Sequence, residues 1–150
     1  MKILMVCLGN ICRSPLAEGI LQKKVKEKGL NWLVDSAGTG GWHSGQAPDS
    51  RSVAVAKKYG IDIGMQRARK VRSCDFEEYD LLFAMDLSNY KDLYRLTISD
   101  LERAKINLIM EEVYPNEKRS VPDPYYDDDG FEKVYAMLDK ACDNIIANYC

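Results

Sequence analysis

A cysteine and an arginine near the N terminus have the types and the spacing to form a nucleophilic anion site. Five residues separate Cys7 from Arg13, and they include Gly9 and Asn10, which tolerate left-handed backbone angles. A short loop of this kind can curl so that its backbone N–H groups face inward. Arg13 adds a planar set of donors that suits two oxygens of one anion. The same donors would favour the thiolate of Cys7, so we expect one loop both to bind an anion and to activate a nucleophile.

The segments on either side of this loop predict a strand before it and a helix after it. Residues 3–6 form a continuous apolar run, which is typical of a strand that is covered on both faces. Ser14 offers a helix N-cap and Pro15 a first helical residue, and apolar residues then recur at helical spacing until Gly29. The loop is therefore expected at the carboxyl edge of a sheet, where α/β folds bind ligands.

The rest of the chain alternates between apolar runs and helical patterns. Further strands are predicted at residues 33–34, 81–85 and 106–110. Residues 36–45 are rich in glycine and predict a loop, whereas helices are predicted from Pro48 to Tyr59 and from Asp129 onward. This alternation favours an α/β fold with three layers and a parallel sheet. The length and the absence of a linker predict a single domain over residues 1–150.

The composition argues against several classes of protein. Lysine and arginine total 21 against 23 acidic residues, so the chain has no basic field with which to bind nucleic acid. No apolar run approaches the roughly 18 residues of a membrane span, and the first run is shorter than a signal-peptide core. The five cysteines are odd in number and widely spaced, which favours reduced thiols. We therefore expect a cytoplasmic protein without membrane insertion, although export by a route without a signal peptide stays open.

Four segments resemble the low-molecular-weight protein tyrosine phosphatases, in the order in which that family has them. They are VCLGNICRSP at 6–15, VDSAGT at 34–39, the stretch from Asp75-Phe76 to Ala84-Met85-Asp86, and VPDPYY at 121–126. The resemblance implies a three-layer α/β/α fold with a four-stranded parallel sheet of order 2-1-3-4. It also implies that phosphotyrosine is hydrolysed through a phosphocysteine, without a metal or other cofactor, and that the partners are tyrosine-phosphorylated proteins.

The same resemblance implies a role for each residue of the site. Cys7 corresponds to the nucleophile, Arg13 to the group that clamps the phosphoryl oxygens, and Asp123 to the general acid that later acts as a base. Without the Cys7 loop, Asp123-Pro124 would indicate only a turn. The other residues of the phosphate-binding loop would be Leu8, Gly9, Asn10, Ile11, Cys12 and Ser14.

Three aromatic residues correspond to the walls of the substrate pocket. Trp42, Tyr125 and Tyr126 would enclose an aryl phosphate, because aromatic faces favour a flat ring. The lone His43 is expected at the surface without a role. Residues 127–129 are all aspartate, and we interpret them as the acidic start of the last helix and not as a metal site.

Two positions leave alternatives open. Cys12 either packs as a small apolar residue or forms a reversible disulfide with Cys7 that protects it from overoxidation. Several members of the family carry a histidine where this chain has Gln66, and that histidine hydrogen-bonds the asparagine that corresponds to Asn10. Gln66 could make the same hydrogen bond.

Other activities fit the sequence less well. A thiol-dependent arsenate reductase of this fold would need a close pair of further cysteines, whereas Cys74 and Cys142 lie far apart in the chain. A protein-arginine phosphatase would have threonine at the position of Ile11. A phosphate-binding module without turnover would lack one of the three catalytic residues, and all three are present. We expect a monomer or a dimer of low affinity.

Overall fold

The computed structural model describes all 150 residues, which form four strands and six α-helices. The strands are β1 (Lys2–Cys7), β2 (Leu33–Gly38), β3 (Leu81–Ala84) and β4 (Ile106–Leu108). The helices are α1 (Arg13–Glu27), α2 (Ser50–Lys58), α3 (Asp75–Glu78), α4 (Leu87–Leu96), α5 (Asp100–Arg103) and α6 (Gly130–Tyr149), and a 3-10 helix (Ile109–Glu112) follows β4. None of these helices has both the length and the apolar character that a membrane span requires.

The four strands form one parallel sheet in the order β2-β1-β3-β4. Strand β1 lies inside the sheet, so that Ile3 has Val34 of β2 on one side and Leu81 of β3 on the other. The strand order implied by the family resemblance is confirmed. Because all four strands run the same way, the loops that follow them meet at one edge of the sheet.

Alternate residues of β1 face opposite sides of the sheet, and each side has its own apolar core. Ile3 and Met5 are fully buried in the larger core, which the sheet shares with α1, α2 and α6. Leu4 and Val6 are fully buried in the smaller core, where they join Phe76 of α3 and other apolar residues. An unbroken apolar run is what a strand with two buried faces requires. The three-layer α/β/α architecture is confirmed.

Two predicted strand ends differ from the structure by two residues or more. Residues 36–38 belong to β2 although the sequence predicts a loop, because the pairing with β1 continues until Cys7 lies beside Gly38. Ile109 and Met110 were predicted to continue β4, but they begin the 3-10 helix. Small residues and a short apolar run give weak evidence of where a strand ends.

Three helices and one helix start were not predicted correctly. Helices α3, α4 and α5 have no counterpart in the sequence prediction, although Asp86 caps α4 by accepting a hydrogen bond from Asn89 N at 2.8 Å. Helix α1 begins at Arg13, so Ser14 is not its N-cap. Pro15 lies instead in the first turn, where a backbone N–H has no helical acceptor to lose.

One acidic side chain is buried between α1 and β2. Glu18 is 6% exposed and has no salt-bridge partner. Its Oε1 accepts a hydrogen bond from Ser36 Oγ at 2.7 Å, and its Oε2 accepts one from Gln22 Nε2 at 3.1 Å. Burial raises the pKa of Glu18 from 4.5 to about 7, and the nearby Asp35 adds to this effect, against the lowering effect of the hydrogen bonds.

We predict that Glu18→Gln flattens one component of the pH dependence of stability. The folded protein holds the Glu18 proton more tightly than the unfolded chain does. The stabilising contribution of the protonated Glu18 to the free energy of unfolding is therefore complete below the pKa of Glu18 in the unfolded chain. It is lost as the pH rises through about 7, the pKa of Glu18 in the folded protein. Urea unfolding at pH 5 to 8 should show the wild-type stability falling relative to the variant, by about 1.4 kcal/mol per pH unit at the steepest point. Glu27→Gln, an exposed change on the same helix, is the control. Stability curves of wild type and Glu18→Gln that stay parallel would contradict this assignment.

Candidate active site

The loop between β1 and α1 lies at the carboxyl edge of the sheet and is held in a tight curl. Cys7 ends β1 and Arg13 begins α1, and both are almost fully buried. Asn10 has a left-handed backbone with φ 58°. Gly9 lies so close to His43 that a Cβ atom on it would come within 2.9 Å of the His43 ring. Gly9 therefore avoids a steric clash with His43, and Asn10 is one of the few residue types that tolerate the left-handed backbone angle.

The curl turns the carbonyls of the loop toward protein donors and leaves its amides free. The carbonyls of Leu8, Ile11 and Cys12 accept hydrogen bonds from Gly40 N at 2.9 Å, Asp49 N at 2.8 Å and Ser52 Oγ at 3.2 Å. The amides of Leu8, Gly9, Ile11 and Cys12 donate to no protein acceptor. A loop with several free N–H groups before a helix N-terminus is a ready site for an anion.

Hydrogen-bond donors surround the sulfur of Cys7. Asn10 N donates to Cys7 Sγ at 3.3 Å, and Ser14 Oγ lies 3.0 Å from the same sulfur. Asn10 Nδ2 donates to Ser14 Oγ at 2.8 Å, so that the Ser14 oxygen acts as an acceptor and its own proton is free to point at Cys7. Negative charge on the sulfur is stabilised by this arrangement.

The side chain of Asn10 uses all its polar atoms to hold the loop. Besides Ser14, its Nδ2 donates to Ser36 Oγ at 2.9 Å, and its Oδ1 accepts from Arg69 N at 3.1 Å. The suggested hydrogen bond between Gln66 and Asn10 is absent from the structure. Gln66 Nε2 donates to the carbonyl of Pro15 at 3.1 Å instead, and its Oε1 is buried without a partner.

Arg13 is a buried cation whose position is fixed by one of its three nitrogens. Its Nη1 contacts Asp86 Oδ2 at 2.6 Å and donates to the carbonyl of Val121 at 2.9 Å. Its Nε and Nη2 donate to no protein atom and remain available to an anion. Burial alone would lower the pKa of Arg13, but the charges of Cys7 and Asp86 outweigh burial and raise it. The guanidinium therefore stays charged inside the protein.

Asp86 was not predicted as a site residue, although it lies in a segment that resembles the family. The available clue was its position directly after a predicted strand, since parallel strands end at one edge. Ser36 and Glu18 were missed as well. Ser36 contacts Asn10 of the loop, and Glu18 contacts Ser36. These contacts form only when β2 and α1 pack together, and no sequence spacing shows this.

Asp123 lies at the rim of the site and is about half exposed. Its Oδ2 is 3.9 Å from Arg13 Nη2, and its Oδ1 accepts a hydrogen bond from Tyr125 N at 3.1 Å. The carboxyl group thus faces both the cation of the site and solvent, which is a suitable place for a group that exchanges protons.

The residues of the site line a cavity of about 320 Å³. Its lining is formed by Cys7, Leu8, Gly9, Ile11, Cys12, Arg13, Trp42, His43, Asp123, Tyr125 and Tyr126. The structure therefore brings together the predicted catalytic residues and the predicted walls, while Asn10 and Ser14 lie behind the loop. His43 is half-buried and contributes to the lining, and its Nδ1 lies 3.1 Å from Gln46 Oε1. That it has no role in the reaction stays a prediction.

The aromatic walls extend from the floor of the cavity into solvent. Trp42 is 65% exposed and Tyr126 is 95% exposed, whereas Tyr125 is 40% exposed. The two tyrosine rings meet edge to face, with centroids 5.0 Å apart. Arg51 supports this wall, since its guanidinium lies 5.5 Å from the Tyr125 ring centroid and 2.6 Å from Asp128 Oδ1.

All five cysteines are free thiols, and two of them lie in the cavity. Burial raises the pKa of Cys12 to about 12, and the charges of Asp49 and Cys7 add to the effect. Cys12 is therefore a neutral thiol at physiological pH. Cys74, Cys142 and Cys150 are not part of the cavity lining.

One acidic cluster has ligand atoms close enough together for a metal ion. The atoms of Cys74, Asp75 and Glu78 lie within 4.8 Å of one another. Arg69 contacts both carboxylate oxygens of Asp75, at 2.9 and 3.2 Å. The charge of Asp75 is thus already compensated by a cation, and the cluster is explained without a metal.

Comparisons with known proteins agree with this geometry. The family model of the low molecular weight phosphotyrosine protein phosphatases matches residues 2–149. A low molecular weight phosphotyrosine protein phosphatase of Schizosaccharomyces pombe is 43% identical, over 91% of this chain and 89% of its own. A protein tyrosine phosphatase of Entamoeba histolytica is 39% identical, with a TM-score of 0.92 over 99% of this chain and 96% of its own. A Drosophila arginine phosphatase has 33% identity and a TM-score of 0.92, over 99% and 98% of the two chains. The chain belongs to the low molecular weight phosphotyrosine protein phosphatase family.

Proposed function

We propose that this protein hydrolyses phosphotyrosine in proteins, and small aryl phosphates, through a phosphocysteine formed on Cys7. The observation that carries the proposal is the placement of Cys7 Sγ within a loop of free amides, in a cavity that also holds Arg13 and Asp123. Membership of the family supports the same substrate class. The contacts of Cys7, Arg13 and Asp123 support the proposed mechanism.

In the first step, the Cys7 thiolate attacks the phosphorus atom and the bond to the phenolic oxygen breaks. The phosphoryl oxygens carry most of the charge in the transition state, and they are met by the loop amides and by Nε and Nη2 of Arg13. Asp123 enters this step protonated and gives its proton to the leaving oxygen. The products are the free phenol and a phosphocysteine.

In the second step, water replaces the sulfur on the phosphorus atom. Asp123 is now a carboxylate and takes a proton from the attacking water, so that one residue acts first as an acid and then as a base. The phosphorus–sulfur bond breaks, inorganic phosphate leaves and the Cys7 thiolate is restored. Because Arg13 and the loop amides supply the positive potential, we expect no metal requirement.

The lining of the cavity favours an aryl phosphate over phosphoarginine. Trp42 and Tyr125 offer flat apolar walls to a phenyl ring. Ile11 also belongs to the lining, at the position where the arginine-specific branch would carry threonine. A related fold alone does not decide the substrate, since the Drosophila arginine phosphatase shares it.

We also propose one domain over residues 1–150 and a reducing, cytoplasmic location. Both apolar cores lie against the same sheet, which supports a single folding unit. The five unpaired thiols support a reducing compartment. A monomer or a dimer of low affinity remains our prediction for the state in solution.

We predict that Cys7→Ser abolishes turnover of p-nitrophenyl phosphate and of a phosphotyrosine peptide. The serine hydroxyl is a far weaker nucleophile than a thiolate, so the rate should fall to the background of the assay. Release of phosphate would be measured in excess chelator, with Cys74→Ser as the matched control outside the cavity. If Cys7→Ser were as active as the wild-type protein, a phosphocysteine intermediate on Cys7 would be excluded. Faster wild-type turnover of phosphoarginine than of phosphotyrosine peptides would exclude the proposed specificity.

We predict that Asp123→Asn slows the release of poor leaving groups much more than that of good ones. Phenolate needs a proton when it leaves, whereas p-nitrophenolate is stable without one. The leaving group departs in the first step, which kcat/KM reports, whereas kcat also includes the second step that both substrates share. We therefore expect kcat/KM for phenyl phosphate to fall by about 10² to 10³ and kcat/KM for p-nitrophenyl phosphate to fall by about tenfold or less. Asp127→Asn, in the same segment but outside the cavity lining, is the control. Equal losses on both substrates would remove Asp123 as the acid.

We further infer that Cys12 protects Cys7 during oxidation. Peroxide would convert the Cys7 thiolate to a sulfenic acid with release of hydroxide. Cys12 would then attack this sulfur as its thiolate, and its proton would leave with the sulfenic hydroxyl group as water, so that the disulfide forms. Cys12 lines the same cavity as Cys7. Its raised pKa keeps it from being oxidised by peroxide itself, because the thiolate is the form that peroxide oxidises.

We predict that wild-type protein treated with peroxide regains its activity in dithiothreitol, whereas Cys12→Ser loses activity permanently. Without a neighbouring thiol, the Cys7 sulfenic acid is exposed to further oxidation that thiols do not reverse. Peptide mapping of the oxidised wild type should show a Cys7 to Cys12 link, with Cys142→Ser as the control. Equal recovery of both proteins would leave Cys12 with a packing role only.

A further inference from the structure

A second cleft adjoins the catalytic cavity. It measures about 430 Å³ and is lined by Leu8, Thr39, Trp42, Lys70, Asp92 and Arg95 together with Gly40 and Leu96. We name it the side cleft. Leu8 and Trp42 also line the catalytic cavity, so the two sites share a wall and open beside one another.

Trp42 forms this shared wall because its ring lies directly on Gly40. A Cβ atom on Gly40 would come within 2.1 Å of the indole ring. The ring is 65% exposed and presents apolar surface next to both openings. A peptide whose phosphotyrosine enters the catalytic cavity would therefore pass close to the side cleft.

Lys70 is the uncompensated charge of the side cleft. Arg95 Nη1 lies 3.0 Å from Asp92 Oδ1, so these two charges offset each other. Lys70 forms no salt bridge, although it lines the same cleft. The local charge is therefore positive in a protein whose net charge is −2.

The fold fixes the backbone at Lys70 and leaves its ammonium group free. Its neighbours on both sides are bonded to β2, since Gly38 N donates to Arg69 O and Val71 N donates to Gly38 O, each at 2.8 Å. The aliphatic stem of Lys70 packs toward Gly41, where a Cβ atom would meet Lys70 Cδ at 3.2 Å. A cation on an anchored stem loses less entropy on binding a carboxylate than one on a mobile loop.

An uncharged polar group in the same cleft also lacks a partner. Thr39 Oγ1 is buried without a hydrogen bond, and Thr39 contributes to the lining. Buried hydroxyl groups are normally satisfied, so Thr39 leaves an unused hydrogen-bonding group at the wall of the side cleft. A peptide offers backbone groups and side chains that could do so.

We propose that the side cleft binds an acidic residue of the substrate, next to the phosphotyrosine, with Lys70 pairing with its carboxylate. The proposal rests on the proposed phosphatase function and narrows its substrates to phosphotyrosine segments with a neighbouring glutamate or aspartate. Residues within three positions of phosphotyrosine lie within about 10 Å of it along the chain, which suits adjoining sites. Lys70 would then determine specificity without taking part in the reaction.

The test compares phosphotyrosine peptides that differ only at the positions from −3 to +3. Each position would carry glutamate, glutamine or lysine in turn, and kcat/KM would be measured for wild type, Lys70→Gln and Lys70→Glu. We expect wild type to have a kcat/KM roughly twofold to fivefold higher for the glutamate peptide than for the glutamine peptide at one or more positions, as for an exposed ion pair. Lys70→Gln should lose this difference. Lys70→Glu should reverse the preference toward lysine, and added salt should weaken both effects.

Three controls separate this proposal from the others. Lys91→Gln removes an exposed lysine from a different cavity and should leave the preference unchanged. Turnover of p-nitrophenyl phosphate should be the same in wild type and both Lys70 variants, because this substrate is too small to fill the side cleft. Calorimetry with Cys7→Ser, with and without Lys70→Gln, measures peptide binding independently of turnover.

The outcomes are distinct. An identical ratio of glutamate to glutamine peptides in wild type and Lys70→Gln, or an equal loss in Lys91→Gln, would overturn the side-cleft proposal while phosphotyrosine hydrolysis stands. An absence of turnover in wild type would overturn the proposed function. In that case the side-cleft proposal would depend on calorimetry alone. Equal peptide affinity of Cys7→Ser with and without Lys70→Gln would overturn that proposal too.

Discussion

The anion site depends on the conformation of Asn10 more than on any other single feature. A left-handed backbone costs an ordinary residue roughly 1–2 kcal/mol, and asparagine is one of the few residue types that adopt it readily. Here the side chain also makes three hydrogen bonds, to Ser14, Ser36 and Arg69 N, each of which contributes about 0.5–1.5 kcal/mol. These bonds offset the strain and fix the curl. The curl in turn frees the neighbouring amides for an anion and leaves the Ser14 proton for Cys7.

Arg13 joins the elements that the sheet brings to this edge. Its Nη1 reaches Asp86 after β3 and the carbonyl of Val121, two residues before Asp123. A buried charge is costly unless it is paired and hydrogen-bonded, so these contacts are a condition of placing a cation inside the protein. The same contacts set the position of the segment that carries Asp123. Anion binding in this chain thus needs no basic surface, and it is compatible with a net charge of −2.

The parts of the site that are continuous in the chain could be predicted, and the parts that topology brings together could not. The run 3–6 and the helical spacing after it predicted β1, the loop and α1, because strand, loop and helix each have a local pattern. Strand order, Asp123 and the aromatic walls came only from the family resemblance. Glu18 and Ser36 were missed because a buried carboxylate and a serine have no pattern of their own. The length of β2 was missed since Ser36, Ala37 and Gly38 are poor strand formers in isolation and are held by pairing with β1.

The five cysteines show how environment, and not residue type, decides chemistry. Cys7 has two donors at its sulfur, Asn10 N and the Ser14 hydroxyl, so its anion is stabilised. Cys142 is fully buried in the core, and the single hydrogen-bond partner of its Sγ is the carbonyl of Ala17, at 3.9 Å. Burial raises the pKa of Cys142. Cys12 lies between these cases, since it lines the cavity but remains protonated. A second thiolate there would repel the anion that the loop is built to bind. A neutral thiol can stay beside the site without weakening anion binding, and this is the physical reason that the proposed nucleophile and the proposed resolving thiol can share one small cavity.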